Sequence, residues 1–319
     1  MVVLLCGCSA GRRPEEDEIT FLIGMSQANL GEPWRVVMNA EIKAEAAKYA
    51  NLRVIFTDAA QDSRKQIQDV ENLLGYGIDL LLISPNEAEP LTPIVEKAFQ
   101  TIPVIVIDRE IEGDGYTMFI GADNRQIGRM AGDFVAELLG EAGGRVIEVL
   151  GLPGSVPAQH RSEGFRDVIS RHGEIGIVET VVADWLRDKA EDELLSVLPQ
   201  TPDIDVIYAH NDPMALGASR AADQLGITGI KFIGIDGLPG PNGGIQLVAD
   251  GILQATFIYP TGGREAVEYA LALLEHREGI PKRLTLESNI VANKQWTSCK
   301  TCYPGENRRE RWRGALLSF

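Results

Sequence analysis

The sequence has little cysteine, and none of it lies in the body of the chain. The only cysteines are Cys6 and Cys8 near one end and Cys299 and Cys302 near the other. The central region must therefore fold around a hydrophobic core and not around sulfur. The two pairs could together form a four-thiolate zinc site. A disulfide between Cys299 and Cys302 and free thiols are the alternatives that we favour, so we expect no bound metal.

Motifs of the common enzyme classes are also missing. The chain has no G-x-S-x-G, no G-x-x-x-x-G-K-[ST] and no H-E-x-x-H, which are typical of hydrolases, nucleotide-phosphate sites and zinc proteases. No G-x-G-x-x-G follows the first predicted strand, as a dinucleotide site would require. The glycine-rich segment 237–244 lacks the lysine and hydroxyl of a phosphate site. We expect a protein that is not an enzyme and carries no cofactor.

Basic residues are outnumbered. The 319 residues include 30 Lys and Arg against 46 Asp and Glu, a formal net charge of −16. Affinity for nucleic acids comes largely from phosphates neutralised by basic side chains, so nucleic acid is not an expected partner. With 45% apolar and 24% charged residues, the composition is ordinary for a globular protein. The length exceeds the roughly 250 to 300 residues of a single core, which predicts two lobes.

The chain begins with an apolar segment, MVVLLCGCSA. This segment is far shorter than the ~20 residues of a membrane-spanning helix, and it lacks the basic start and full apolar run of a complete signal peptide. Residues 5–8, LCGC, resemble a bacterial lipobox, in which Cys8 would be lipidated and residues 11–18 would form a tether. A truncated leader or a mis-set start codon is the alternative. We expect a periplasmic or cell-surface protein held by a lipid anchor.

Apolar runs alternate with helical patterns along most of the chain. The runs 78–83 and 103–107 are continuously apolar, which is typical of parallel strands covered on both faces. We predict strands at 19–25, 52–56, 78–83, 103–107, 116–121, 145–150, 175–182, 206–209, 230–235 and 254–258, with a last extended segment at 284–291. We predict helices at 33–49, 62–76, 91–99, 122–139, 157–171, 185–198 and 212–225, a helix ending at 250, and one from 263 to about 278.

The second half of this pattern repeats the first, which predicts an α/β protein with two similar doubly wound parallel-sheet lobes. The helix after 263 has no partner at the end of the second lobe, so we expect it to return to the first lobe and make the hinge several strands wide. The predicted division is a leader and tether at 1–18, a first lobe of 19–121 plus 259–286, a second lobe of 122–258 plus 287–298, and a poorly ordered tail at 299–319.

Polar residues follow the predicted strands where parallel sheets bind ligands. Asn211 lies just after strand 206–209, and Asp236 follows strand 230–235. Ligands of open α/β sheets bind at the carboxyl ends of the strands. Carboxylate, amide and guanidinium groups can each bind two neighbouring hydroxyls of a sugar, and an aromatic ring such as that of Trp34 can cover its C–H face. The sequence therefore predicts capture of a small polar molecule.

Seven segments, read in order, resemble the periplasmic sugar-binding proteins of the ribose-binding, type I class. The segments are GMSQ (24–27), WR (34–35), IDR (107–109), GADN (121–124), QHRSEGF (159–165), YAHND (208–212) and IDG (235–237). The resemblance is closest to the galactofuranose-binding branch and to the periplasmic sugar-sensing domains of hybrid two-component systems. It covers roughly 19–291. It implies a type I periplasmic-binding-protein fold, with two lobes joined by three crossover strands that close on one sugar without turnover.

The resemblance also implies, at matching positions, which side chains line the cleft. These are Trp34, Arg35, Asp108, Arg109, Asp123, Asn124, Arg161, Asn211 and Asp236. A structural role is the alternative for most of them: a core Trp34, a surface ion pair of Asp108 and Arg109, a turn at Asp236, helix caps at Asp123 and Asn124 and a solvated Arg161. The chain departs from its relatives at His160 and Pro213, and YPTGG (259–263) is closer to the sensor domains.

These observations predict a solute-binding protein that holds a monosaccharide, a pentose or hexose in furanose form, and passes it to the membrane permease of an ABC importer. The alternative is a periplasmic sugar-sensing domain that signals to a sensor kinase of a hybrid two-component system. A transcription-factor effector domain is disfavoured by the acidic charge, the lipobox and the missing basic headpiece. An enzyme of the same fold is disfavoured by the missing motifs.

Overall fold

In the computed structural model, which describes residues 21–292, the strands form two six-stranded sheets. The strands are β1 (Phe21–Gln27), β2 (Leu52–Asp58), β3 (Leu80–Ser84), β4 (Val104–Ile107), β5 (Met118–Ala122), β6 (Gly144–Leu150), β7 (Ile175–Val182), β8 (Val206–Ala209), β9 (Lys231–Asp236), β10 (Ala255–Ile258), β11 (Arg283–Leu286) and β12 (Ile290–Ala292). The helices are α1 (Pro33–Ala46), α2 (Ser63–Gly75), α3 (Ala88–Phe99), α4 (Asn124–Leu139), α5 (Val156–Ile169), α6 (Arg187–Val197), α7 (Asp212–Leu225), α8 (Gly244–Ala249) and α9 (Gly263–Leu274).

The two sheets share one topology. The first has the order β11-β5-β4-β3-β1-β2 and the second the order β12-β10-β9-β8-β6-β7. Neighbouring strands are parallel except β12, which runs antiparallel to β10. Without the edge strands β11 and β12, each sheet reads 2-1-3-4-5 in its own chain order, which is a doubly wound arrangement. The predicted fold class, two similar doubly wound parallel-sheet lobes, is confirmed.

Continuously apolar strands form these sheets because both faces of each sheet are covered. Every residue of β3 and of β4 is buried. In the first sheet, α1 and α9 pack together on one face, while α2 and α3 pack on the other. In the second sheet, α4 packs on α5 and α6 packs on α7. We call the first sheet with α1, α2, α3 and α9 the first lobe, and the second sheet with α4 to α8 the second lobe.

Three passages connect the lobes. The chain crosses between β5 and α4, returns between β10 and α9, and crosses again between β11 and β12. Because the second passage brings α9 onto α1, the chain re-enters the first lobe before it forms β11. The carboxyl ends of the central strands of both sheets point toward the space between the lobes, where the cavity described below is found.

Some predicted elements differ from those observed. The extended segment predicted at 284–291 is two strands, because β11 and β12 belong to different sheets. The helix predicted to end near 278 ends at Leu274, and His276 follows with a φ of 55°. The helix predicted from residue 185 begins at Arg187, because Asp184 and Trp185 have φ angles of 51° and 72°, which no right-handed helix accommodates.

Several predictions concern parts of the chain outside residues 21–292. These are the leader and tether at 1–18 with lipidation at Cys8, the tail at 299–319, and the pairing of Cys299 with Cys302. Within the described residues, none of the helices combines the length and apolar character needed to cross a membrane.

Candidate ligand-binding site

A cavity lies between the lobes at the carboxyl ends of the strands. The space between its wall atoms amounts to about 280 Å³, part of which is open to solvent. Its wall contains residues of both lobes and of the second passage between them: Glu32, Trp34, Arg35, Asp108, Arg109, Pro157, Arg161, Trp185, Asn211, Asp236 and Tyr259. The switch from strand to helix in a parallel sheet places polar groups at this edge, which explains why side chains so distant in sequence meet here.

The structure brings together seven of the nine predicted site residues: Trp34, Arg35, Asp108, Arg109, Arg161, Asn211 and Asp236. Asp123 is not among the wall residues. It is exposed and caps α4, where its carboxylate accepts a hydrogen bond from the main-chain N of Gln126 at 2.9 Å. Asn124 is buried behind the wall, where it contacts Arg161 and Tyr259. The wall residues that sequence reasoning missed are Glu32, Pro157, Trp185 and Tyr259.

The first-lobe wall is centred on the guanidinium group of Arg35, which is 1% exposed. Its Nε is 3.2 Å from Glu32 Oε1, its Nη1 donates to Gln27 Oε1 at 2.5 Å and Ser84 Oγ at 2.8 Å, and its Nη2 donates to Asp108 Oδ2 at 2.9 Å. Burial by itself would lower the pKa of Arg35, but the two carboxylates outweigh it and raise the pKa. These partners keep the Arg35 guanidinium group charged and in place even when no ligand is bound.

Arg109 lies beside it and is also buried. Its Nη1 donates to the main-chain oxygen of Asn86 at 2.9 Å, and its Nη2 donates to Glu32 Oε1 at 3.3 Å. Burial, and then repulsion by Arg35, lowers the pKa of Arg109 to about 10, so the group stays charged at neutral pH. Asp108 and Arg109 are 5% and 2% exposed. The alternative of a surface ion pair is therefore wrong.

Tyr259, on the passage from β10 to α9, connects the walls of both lobes. Its hydroxyl donates to Asp108 Oδ1 at 2.9 Å and accepts from Asn124 Nδ2 at 3.3 Å. Its main-chain oxygen accepts from Trp34 Nε1 at 2.7 Å, and the two ring centroids are 5.0 Å apart. Trp34 thus belongs both to the buried core and to the cavity wall. A hydrogen-bonded aromatic pair supplies a fixed apolar face beside the charged groups.

Arg161 of α5 is the cation of the second-lobe wall. Its Nε donates to Asn124 Oδ1 at 2.8 Å, and its Nη1 donates to the main-chain oxygen of His210. Its guanidinium carbon lies 4.5 Å from the ring centroid of Tyr259 and 5.3 Å from that of Trp185, distances typical of cation–π contacts. Because the side chain is buried, the alternative of a solvated arginine is wrong.

Trp185 is an aromatic wall residue held in a strained conformation. Its φ of 72° lies in the left-handed region, which a bulky side chain rarely adopts. Asn211 stabilises this turn, since its Nδ2 donates to the Trp185 oxygen at 3.0 Å while its Oδ1 accepts from the main-chain N of Met214 at 2.9 Å. Gly151 provides the room for the indole, because a Cβ at that position would lie 2.2 Å from ring atoms.

Asp236 differs from the other charged wall residues because its carboxylate has no hydrogen bond or ion pair within the described part of the chain. Burial, and then repulsion by Asp212, raises the pKa of Asp236 well above its ordinary value. Asp212 is itself buried, and its oxygens accept from Thr256 Oγ1 at 2.7 Å and from the main-chain N of Gly237 at 2.8 Å. Burial raises the pKa of Asp212 to about 7. Asp236 is therefore the wall group with acceptor capacity left for a ligand.

The wall as a whole combines polar groups of both kinds with aromatic rings. Three guanidinium groups (Arg35, Arg109, Arg161) lie with three acidic side chains (Glu32, Asp108, Asp236), and three aromatic side chains (Trp34, Trp185, Tyr259) complete the wall. Such a wall offers both hydrogen-bond donors and acceptors, together with apolar faces, to an uncharged polar molecule. Within residues 21–292, no group of His, Cys, Asp and Glu side chains is arranged to hold a metal ion.

The chain belongs to the periplasmic binding protein family, because residues 23–278 match the periplasmic binding protein domain. It is 37% identical over 218 residues to the ribose import binding protein RbsB of Bacillus subtilis (strain 168), covering 68% of this chain and 70% of that protein. The resemblance inferred from the seven sequence segments is therefore confirmed.

Solved structures agree with this assignment. The chain is similar to the fructose-binding periplasmic domain of a hybrid two-component system, with 43% identity and a TM-score of 0.83 over 86% of this chain and 91% of that one. It is also similar to a galactofuranose-binding protein, with 25% identity and a TM-score of 0.81 over 87% of this chain and 96% of that one.

Proposed function

We propose that this protein is an extracytoplasmic solute-binding protein that encloses one monosaccharide between its lobes and delivers it to the membrane permease of an ABC importer. The observation that supports it best is the carboxyl group of Asp236, which has no hydrogen-bond partner among residues 21–292 and lies in a polar, aromatic-walled cavity. A sugar hydroxyl can donate to that carboxylate, while the aromatic faces cover C–H groups. Hydrogen bonds to charged groups contribute about 1.5 to 3 kcal/mol each, so about five or six of them, less the cost of association and ordering, reach the ~8 kcal/mol of micromolar binding.

The ligand class that we propose is a neutral pentose or hexose, with furanose forms included. The guanidinium groups of the wall already have oxygen partners within the protein, so they offer little attraction for a sugar acid or a sugar phosphate. The relatives named above bind ribose, fructose and galactofuranose by their own descriptions, which supports this class. We propose that the bound sugar is released unchanged.

A second candidate is a sugar-sensing domain whose closure is transmitted to a histidine kinase. It is favoured by the 43% identity with the fructose-binding sensor domain, which exceeds the 37% identity with the ribose import protein. The two candidates share the cavity and differ in the partner. The readout that separates them is whether deleting the gene abolishes uptake of radiolabelled sugar or abolishes sugar-induced transcription.

A thermal-shift screen tests the binding step common to both. We expect at least one of D-ribose, D-fructose, L-arabinose, D-galactose and D-glucose to raise the melting temperature at millimolar concentration, because a ligand of the folded state alone stabilises it. Glucuronate and ribose 5-phosphate serve as charged controls and are expected to give no shift. The absence of a shift with every neutral sugar would contradict the proposal.

We also propose a first lobe of 19–121 plus 259–286 and a second lobe of 122–258 plus 287–298. This division is supported by β11, which belongs to the first sheet, and by β12, which belongs to the second.

Lipidation at Cys8 remains a separate proposal for anchoring the protein outside the cytoplasm. In cells grown with a palmitate analogue, we expect the wild-type protein to be labelled and the Cys8→Ser variant not to be labelled. Equal labelling of the two proteins would contradict it.

A further inference from the structure

A hydrogen bond crosses the cleft from Gln61 to the turn that carries Trp185. Gln61 Nε2, in the first lobe, donates to the main-chain oxygen of Asp184, in the second lobe, at 3.1 Å. Asp184 and Trp185 are consecutive left-handed residues. The peptide before Trp185 is thus held by the first lobe, while the peptide after it is held by Asn211 of its own lobe.

Gln61 projects from a fixed backbone. Its main-chain N donates to the oxygen of Ala28 at 2.9 Å, and its own oxygen accepts from Asn86 Nδ2 at 3.1 Å. Ala60 and Gln61 are themselves left-handed, with φ angles of 51° and 63°. A side chain that starts from a backbone restrained on both sides loses little freedom when it forms a bond across the cleft.

The indole of Trp185 also contacts both lobes. The guanidinium carbon of Arg109, in the first lobe, lies 5.5 Å from its centroid, and that of Arg161, in the second, lies 5.3 Å away. The carboxylate of Asp184 is bonded within the second lobe to Lys189 Nζ at 2.6 Å. Arg109 contacts the indole, while the hydrogen bond from Gln61 to the Asp184 main-chain oxygen allows the first lobe to act on the backbone of this turn.

We propose that Gln61 is a positioning residue for sugar binding: its bond to the Asp184 oxygen stabilises the strained turn and completes the Trp185 wall when the lobes close. This inference rests on the proposed function. Left-handed conformations of bulky residues persist only where surrounding contacts impose them, and the hydrogen bond from Gln61 joins the two lobes, so separation of the lobes would break it. Gln61 therefore contributes to affinity by slowing release, although it does not line the cavity.

The test is Gln61→Met, which keeps the length of the side chain and removes the donor. The matched control is Gln68→Met, on the exposed face of α2 in the same lobe. The probe is whichever of D-ribose, D-fructose, L-arabinose, D-galactose and D-glucose binds the wild type most tightly by calorimetry. We expect Gln61→Met to raise the Kd about 3- to 10-fold, the range of one net hydrogen bond, through faster dissociation in stopped flow.

Trp185 fluorescence separates positioning from general destabilisation. The Trp185 contribution to the sugar-induced signal is defined by comparison with Trp185→Phe, and we expect it to shrink in Gln61→Met. The melting temperature without sugar should stay within about 2 °C of wild type, and Gln68→Met should match wild type throughout.

Three results would overturn the inference. Unchanged Kd and unchanged Trp185 signal in Gln61→Met would show that the bond does not position the indole. A large fall in the sugar-free melting temperature, parallel to the loss of affinity, would show a structural role only. A wild type that binds none of the five sugars would instead reject the proposed function, and the inference with it.

Discussion

The two walls of the cavity differ in how complete they are before a ligand enters. In the first lobe, Arg35 and Arg109 are bonded to Glu32 and other oxygens of the same lobe, and Asp108 accepts from Arg35. In the second lobe, the Asp236 carboxylate has no hydrogen-bond partner among residues 21–292. One wall is an internally paired network, while the other presents an unpaired acceptor.

This difference separates the residues that shape the site from those that gain most from the ligand. Buried charges that have partners stay in place without a ligand, and removing one of them leaves its partner uncompensated. A buried charge without a partner gains one only when a ligand arrives. We therefore expect the first lobe to act as a rigid template and the second lobe to supply the acceptor whose hydrogen bonding changes on binding.

The largest expected effect is on folding stability, from Asp108→Asn. This substitution removes the charge opposite Arg35, and a single amide oxygen cannot replace the carboxylate oxygens that accept from Arg35, Ser84 and Tyr259. Breaking a buried ion pair from one side typically costs about 3 to 5 kcal/mol. We expect the free energy of unfolding, measured in urea without ligand, to fall by about that amount.

The next effect is on affinity, from Asp236→Asn. We expect sugar binding to weaken by about 1.5 to 3 kcal/mol, because a charged acceptor is lost. The ligand-free stability should not fall, since no protein group loses a partner. Calorimetry gives the first quantity and urea unfolding the second.

Asp236→Asn and Asp108→Asn are matched controls for each other, because each removes one charge from a buried wall carboxylate. Equal losses of ligand-free stability in the two variants would contradict the difference between the paired first-lobe wall and the unpaired Asp236. Unchanged affinity in Asp236→Asn would remove Asp236 from the site altogether.

A smaller effect concerns pH and the Asp212–Asp236 pair. The folded pKa of Asp212, about 7, exceeds its ordinary value of 3.8, and that of Asp236 is also raised. The stability linked to a raised carboxyl pKa is fully present below the unfolded pKa and is lost as pH rises. We expect the wild type to lose up to about 1.4 kcal/mol per pH unit relative to Asp212→Asn between about pH 4 and pH 7.

Urea unfolding of both proteins at pH 4.5, 5.5 and 6.5 measures this slope. The side chain at position 212 fits tightly, because a Cβ at Gly244 would lie 1.9 Å from Asp212 Oδ2. The amide of Asp212→Asn can therefore shift the absolute stability, but the slope with pH does not depend on that shift. Arg161, Glu32 and Asp108 also act on Asp236. These groups are the same in both proteins, but Asp212→Asn also removes the repulsion of Asp236 by Asp212, so the difference in slope reports the pair. Parallel pH profiles would show that the pair does not hold its protons more tightly in the folded state than in the unfolded state.

Most of the fold could be predicted from the sequence because each strand carries its own signal. The continuous apolar runs predicted β3 and β4, and the second half repeated the pattern of the first. The split of 284–291 into β11 and β12 could not be read from composition, since which sheet a short edge strand joins depends on the path of the hinge. The start of α6 was misplaced because left-handed residues at 184 and 185 have no glycine to mark them.

The site was predictable where a polar residue lies at or just after the carboxyl end of a strand, as at Asp108, Asn211 and Asp236. Tyr259 directly follows β10 and Trp185 lies three residues after β7, so their positions could have indicated them; they were assigned instead to a connecting segment and to a helix. The roles within the wall could not be predicted. Asn211 is hydrogen-bonded to Met214 and Trp185, while Asp236 has no hydrogen-bond partner among residues 21–292, and this difference depends on tertiary contacts.

The smallest expected effects separate two adjacent residues at the first passage between the lobes. Asp123→Ala removes a helix cap outside the cavity and should lower the free energy of unfolding by about 1 kcal/mol, with sugar affinity within twofold of wild type. Asn124→Ala removes the acceptor of Arg161 Nε and the donor to the Tyr259 hydroxyl, so affinity should fall severalfold. Urea unfolding and calorimetry on both variants measure these quantities. The opposite result, in which Asp123→Ala loses affinity and Asn124→Ala keeps it, would contradict these roles. It would show that Asn124 does not hold Arg161 and Tyr259 in place for the ligand.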